Sequence, residues 1–119
     1  MEEGRKLIKP FDDLNVIYGQ GTAAFEVMNE VETKFDMSVV CCSGGGLAAG
    51  TGIVLKNSLS DCQLYTAEPK DWNDHEKSFL QNNIVSIKTK KHGMCDALEN
   101  PQPGEITFRI NSALNTKGL

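Results

Sequence analysis

The 119-residue sequence has no run near the ~20 apolar residues that a membrane-spanning helix needs, so a spanning helix is not expected. It also lacks an excess of positive charge. Twelve Lys and Arg against sixteen Asp and Glu give a net charge of −4, with a pI near 5.1. Nucleic acid calls for a basic patch, so it is not an expected partner. The densest basic run, Lys88 to Lys91, is broken by Thr89 and reads as a solvated loop. The first residues, Met1-Glu2-Glu3-Gly4-Arg5-Lys6, contain no apolar stretch and do not read as a secretory signal. The cysteines at 41, 42, 62 and 95 form no C-x-x-C pair, and the two histidines, His75 and His92, stand apart, so a zinc site is not expected. Reduced thiols and a cytoplasmic location are the default for such a chain. Repeats and low-complexity tracts are absent too, and the length suits one domain at most.

What is present is an α/β pattern. Leu7-Ile8 reads as the tail of a strand, and Pro10-Phe11-Asp12-Asp13 as a turn, because Asp side chains bond nearby backbone. Gly19-Gln20-Gly21-Thr22 is expected to open a helix with Thr22 as its N-cap. Ala24, Val27, Met28 and Val31 follow at helical spacing and mark one buried face. Met37-Ser38-Val39-Val40-Cys41-Cys42 suits a strand buried on both faces of a parallel sheet, with both cysteines acting as small apolar groups. Ser43-Gly44-Gly45-Gly46 comes next, then a helix over about 47–56. Gly50 and Gly52 lower helix propensity there, which implies close packing on a neighbour. A second strand is expected over 62–67, a short helix around 72–80 and another after Glu105. Residues 82–93 give no clear signal. The last helix has no evident closing cap, although Gly118 could serve.

The glycine loop carries the chemistry. Consecutive N–H groups at a helix start form an anion site, aided by roughly half a positive charge from the helix dipole. Glycine lets the backbone approach a phosphate closely, and Ser43 adds a hydroxyl. The bland alternative is a tight turn without a ligand. A nucleoside-triphosphate loop is not matched, since Gly45 to Gly50 is followed by Thr51 and not by lysine. A dinucleotide fingerprint survives: Gly44-x-Gly46-x-x-Ala49 fits, and Glu68 sits where a ribose-binding acid belongs. Spacing alone leaves NAD open.

Several stretches, taken in order, resemble the serine/threonine dehydratase family of pyridoxal-phosphate enzymes. That family includes serine racemases and hydroxyaspartate ammonia-lyases. The stretches are Pro10-Phe11-Asp12-Asp13, Gly19-Gln20-Gly21-Thr22, Ser43-Gly44-Gly45-Gly46-Leu47, Ala67-Glu68-Pro69, Met94-Cys95-Asp96-Ala97-Leu98 and Pro103-Gly104-Glu105-Ile106-Thr107-Phe108. The resemblance implies part of the large domain of a fold type II enzyme: a partial pyridoxal-phosphate-binding domain over residues 1–119, with a parallel sheet and flanking helices. It implies pyridoxal phosphate held by Ser43, Gly44, Gly45, Gly46 and Leu47. It also implies a β-hydroxy amino acid as substrate (threonine, serine or 3-hydroxyaspartate), a homo-oligomer, and release of ammonia and a keto acid.

The departures are equally specific. The family's Schiff-base lysine belongs to a Ser-x-Phe-Lys-type motif, and none of the ten lysines here lies in one. The serine that faces that lysine and a later Ser-Gly-Gly segment are also missing, so no catalytic residue is assigned and the chain alone is expected to be inactive. Ser43, Gly93 and Ala97 stand where other residues are commoner. In metal-binding members, positions matching Glu68, Asp74 and the Trp72 carbonyl hold a divalent cation. Hard oxygen donors suit Mg²⁺ or Ca²⁺. The plain alternative makes Asp74 a helix cap and Glu68 solvated. His75 reads as a surface residue and Trp72 as a loop anchor. Two rival identities stay open: a small dinucleotide-binding module, and a stand-alone non-catalytic protein, decayed from the lyase family or acting as a partner of one of its members.

Overall fold

The computed structural model describes residues 4–89 and 91–119. The readings placed on Met1, Glu2, Glu3 and Lys90 lie outside the described residues. The elements are α1 (Leu14–Glu30), β1 (Met37–Cys41), α2 (Gly46–Ser58), β2 (Gln63–Ala67), a short 3-10 turn (Lys70–Trp72), α3 (Asp74–Gln81), a second such turn (Asp96–Leu98), α4 (Glu105–Ala113) and β3 (Lys117–Gly118). The three strands form a parallel sheet in the order β1-β2-β3.

α1 begins earlier than its sequence suggests. Asp13 caps it, accepting from the Asn15 N–H at 2.8 Å. The helix is therefore already under way when it reaches Gly19, and no start signal is needed there. Thr22 lies inside the helix and bonds back to the Gly19 carbonyl at 2.7 Å. The buried side of α1 carries Ile17 and Gly21, whereas Val27 and Val31 are exposed. The buried face is thus centred nearer the N-terminus than the apolar spacing indicates. Leu7 and Ile8 form no strand and are exposed.

α2 is the axis of the core. Ala48, Ala49 and Leu55 are buried on it, and it packs against α1, α4 and both long strands. Its crossing with α1 is tight enough to require glycine. A Cβ on Gly50 would stand 2.5 Å from the Ile17 carbonyl oxygen and 2.6 Å from the Gly21 nitrogen. Gly52 meets Leu114 and Leu64 in the same way. These contacts are the close packing expected of both glycines.

β1 is not buried on both faces. Met37, Val39 and Cys41 are exposed, and Ser38 and Val40 are half-buried. No element among the described residues covers that face. Of the paired cysteines, only Cys42 is buried, and burial, followed by the charges of Glu68 and Asp74, pushes its thiol far up.

The chain end also differs from expectation. α4 closes at Leu114, with Asn115 in the left-handed region at φ 54° and the Thr116 N–H returning to the Asn111 carbonyl at 3.0 Å. Asparagine tolerates that conformation better than most residues. Gly118 is therefore not a cap. It lies in β3, opposite Thr66 of β2, where a Cβ would meet Glu76 at 2.5 Å.

Candidate functional site

The loop between β1 and α2 is held by its carbonyls. The Gly44 carbonyl accepts from the Thr107 hydroxyl at 2.6 Å and from the Gly104 N–H at 3.2 Å. The Gly45 carbonyl accepts from the Asn111 side-chain amide at 3.1 Å and from the Ala49 N–H. Thr107 and Asn111 are fully buried on α4. Asp12 fixes α4 in turn, accepting from the Ile106 N–H at 2.8 Å and the Thr107 N–H at 3.4 Å. The Pro10–Asp13 turn thus serves two helices: Asp13 caps α1 and Asp12 caps α4.

With its carbonyls engaged, the loop keeps its donors. Among the described residues, the N–H groups of Gly44, Gly45, Gly46 and Leu47 donate to no protein acceptor. Gly45 sits at φ 91°, the left-handed region, and starts α2 as its N-cap without any side-chain bond. Beside them opens a cavity of about 440 Å³, walled by Pro10 and Phe11, Gln20, residues 41–48 and residues 96–100. Ala97 is on that wall and Gly93 is not. The Phe11 ring lies so close that a Cβ on Gly44 would be 2.2 Å from it. On the opposite side a Cβ on Gly45 would stand 2.5 Å from the His75 ring and 3.1 Å from Thr107. Packing therefore demands glycine at both positions.

His75 is the main residue the sequence misplaced. It is fully buried, and both ring nitrogens lack a partner among the described residues. Burial lowers its pKa to about 4, against the opposing pull of the Gly44 and Ser43 carbonyls. It is a neutral wedge behind the glycine loop. No local signal marks its burial, because the loop and α4 residues it meets, Gly45 and Thr107, are some thirty positions away in the chain. Thr107 and Asn111 were missed for the same reason.

The plain alternative, with Asp74 as the helix cap and Glu68 solvated, is overturned. Glu68 is the cap: its two carboxylate oxygens accept from the His75 N–H at 2.9 Å and the Glu76 N–H at 2.8 Å. Asp74 is fully buried, and neither of its oxygens has a partner. Burial, followed by the Glu68 charge, raises its pKa to about 8. The Glu68 pKa is raised as well, chiefly by burial, although its backbone bonds oppose the rise. Glu68 caps α3 here, a role that the dinucleotide reading did not give it. Among the described residues, no group of three or more His, Cys, Asp or Glu is arranged to hold a metal. The cation reading thus rests on two carboxylates and a carbonyl. Trp72 anchors its loop as expected: it is buried, and its indole N–H donates to the Lys91 carbonyl at 2.9 Å.

Comparison with known proteins agrees with this geometry. Residues 1–119 match the family described as pyridoxal-phosphate dependent enzyme. The chain is 38% identical over 108 residues to serine racemase of Schizosaccharomyces pombe, covering 91% of this chain and 33% of that protein. It is 38% identical over 109 residues to L-threo-3-hydroxyaspartate ammonia-lyase of Saccharomyces cerevisiae, covering 92% and 33%. Among solved structures, a threonine deaminase from T.th. superposes with a TM-score of 0.90 at 30% identity, covering 94% of this chain and 39% of that one. The serine racemase of Dictyostelium discoideum gives 0.83 at 37%, covering 94% and 34%. The chain spans about a third of the length of the curated relatives it matches. Its α/β architecture, a parallel sheet flanked by helices, is that of fold type II enzymes. The family match over the full length, on this fold, means that the chain belongs to the pyridoxal-phosphate dependent enzymes.

Proposed function

We propose that this chain forms the phosphate-binding part of a pyridoxal-phosphate ammonia-lyase or racemase acting on a β-hydroxy amino acid such as threonine, serine or 3-hydroxyaspartate. One observation carries the reading: the unengaged N–H groups of Gly44, Gly45, Gly46 and Leu47, facing a cavity at the start of a 13-residue helix. A cofactor phosphate suits them, because several donors and the helix dipole converge on one anion. The chemistry supplied by bound pyridoxal phosphate is an electron sink at the substrate's α-carbon. The protein's share is to position the phosphate. Thr107 and Asn111 hold the loop carbonyls, which keeps the N–H groups aimed outward. Ser43 lines the same cavity and adds a hydroxyl.

Glu68, Asp74 and the Trp72 carbonyl are the proposed donors for Mg²⁺ or Ca²⁺. Support comes from the two buried, unpartnered Asp74 oxygens next to a second carboxylate. A buried carboxylate without a partner is costly, and a cation supplies one.

Leu47 offers a direct test. Proline is tolerated in a first helical turn but has no N–H. Leu47→Pro deletes one phosphate donor, and Leu47→Ala keeps it while also removing the leucine side chain. A hydrogen bond to a charged group contributes about 1.5–3 kcal/mol. Pyridoxal phosphate, titrated by calorimetry and by the phosphorus resonance, should bind Leu47→Pro roughly tenfold or more weakly than Leu47→Ala. Equal affinities in two folded variants would sink the proposal.

A further inference from the structure

Among the described residues the sheet ends at β1, and that edge is open. The Asp36 carbonyl accepts from the Gln63 N–H at 2.8 Å, and the Cys42 N–H donates to the Ala67 carbonyl at 3.0 Å. Backbone groups of successive strand residues point to alternate sides, so Ser38 and Val40 also turn theirs toward β2. Those of Met37, Val39 and Cys41 turn away and find no strand partner among the described residues. The same three side chains are exposed, Met37 by 58% and Val39 by 48%. Edges kept free of partners carry lysine, proline or a bulge, whereas β1 has neither a charge nor a proline. Total exposure is also high. The chain exposes 8010 Å², whereas a compact monomer of 13.0 kDa exposes about 6,300 Å². The excess, about 1,700 Å², is about twice what each partner gives to a standard interface. Leu7 and Ile8, in the irregular stretch before α1, account for part of it. At β1, exposed apolar side chains adjoin unpaired backbone.

We propose that β1 is the docking surface for a second copy of this chain: the two β1 strands pair antiparallel about a two-fold axis at Val39, joining both sheets into one. That register is self-complementary. Val39 faces Val39, and Met37 faces Cys41 of the second copy, all in hydrogen-bonded positions, so every outward N–H and C=O gains a partner. Asp36 falls opposite Cys42 and Lys34 opposite Gly44, so no like charges meet. The inference is independent of the phosphate and cation readings, and the failure of either leaves the other untouched.

Sedimentation equilibrium of the 119-residue chain, with reductant present to exclude disulfides, should show a monomer–dimer equilibrium. A monomer at every concentration, or an open-ended assembly, overturns the proposal. Amide hydrogen exchange in the same unaltered chain locates the interface. The Val39 N–H should be protected where the dimer prevails and exchange freely on dilution. A dimer whose Val39 N–H exchanges freely uses a different surface, and that result overturns the proposal too. Charge at position 39 tests the register, because the axis sets that residue against itself. Val39→Lys and Val39→Glu should each dimerise about fivefold or more weakly than the parent, and an equal mixture of the two should regain the loss. Variants that fold and dimerise as tightly as the parent, or a mixture no tighter than its components, refute this pairing.

Discussion

The crossing of α1 and α2 allows one substitution to be tried with opposite outcomes at two positions. Gly19 and Gly50 both lie in helices, and alanine is favoured over glycine there by about 1 kcal/mol. At Gly19 an added Cβ has nothing within 4 Å, so only the propensity gain remains. At Gly50 the same carbon would lie 2.5 Å from the Ile17 oxygen, 2.6 Å from the Gly21 nitrogen and 2.9 Å from the Gly21 Cα. All three atoms are backbone and cannot rotate aside, so the helices must separate by about 1 Å to restore ordinary contact distances. Overpacking of this kind costs about 1–3 kcal/mol. Ile17, fully buried at the crossing, would lose part of a burial contribution of about 1.5–3 kcal/mol. Set against the propensity gain, the net loss is about 2 kcal/mol. For a domain of this size, 1 kcal/mol moves the melting temperature by about 4 °C. Gly50→Ala should therefore melt about 8 °C below the parent, and Gly19→Ala about 4 °C above it, by far-ultraviolet circular dichroism. If Gly50→Ala melts at or above the parent, the reasoning about this crossing is wrong.

Other outcomes follow from the same contacts. Asp12→Ala removes the cap from α4, so the melt should fall by about 4 °C, equivalent to about 1 kcal/mol, and an unchanged melt would mean that water replaces it. The pH dependence comes from two buried neighbours. Asp74 stays protonated up to about 8 when folded but ionises at 3.8 when unfolded, so its contribution declines as pH rises across that window. His75 stays neutral down to about 4 against an unfolded 6.5, so its contribution declines as pH falls across that range and opposes Asp74 there. Above pH 6.5 the imidazole no longer opposes the carboxyls, and the metal-free protein should lose stability up to about pH 8 through Asp74, with Glu68, also raised by burial, acting in the same direction; denaturant melts of Asp74→Asn should slope less over that interval, and a slope equal to the parent's refutes the assignment. Calorimetry should show Mg²⁺ or Ca²⁺ binding to the parent and none to Asp74→Asn. Finally, the chain mixed with pyridoxal phosphate and threonine, serine or hydroxyaspartate should form keto acid no faster than free cofactor does. Turnover abolished by replacing one of its own lysines would overturn the expectation that none of the ten lysines here forms the Schiff base.

The strand–glycine–helix unit, the family and the role of the helix glycines are all legible in the amino acids alone. Each is written in short windows: an apolar run, three adjacent glycines, a motif in order. How the site is held depends instead on the folded chain. Thr107 reaches Gly44 across 63 positions, Asn111 reaches Gly45 across 66, and Asp12 caps α4 across 94. Periodicity samples only neighbours within a turn or two, so such contacts leave no local trace. The strand β3 was invisible for a related reason. It is two residues long and exists only because β2 offers it an edge. Glu68 and Asp74 show the limit most clearly. Their spacing indicated two acids near one helix start, but which acid bonds the free N–H groups and which is left buried without a partner depends on the angle at which α3 leaves the sheet. That angle is set by packing against elements distant in the chain, a constraint that no stretch of residues 68–74 contains.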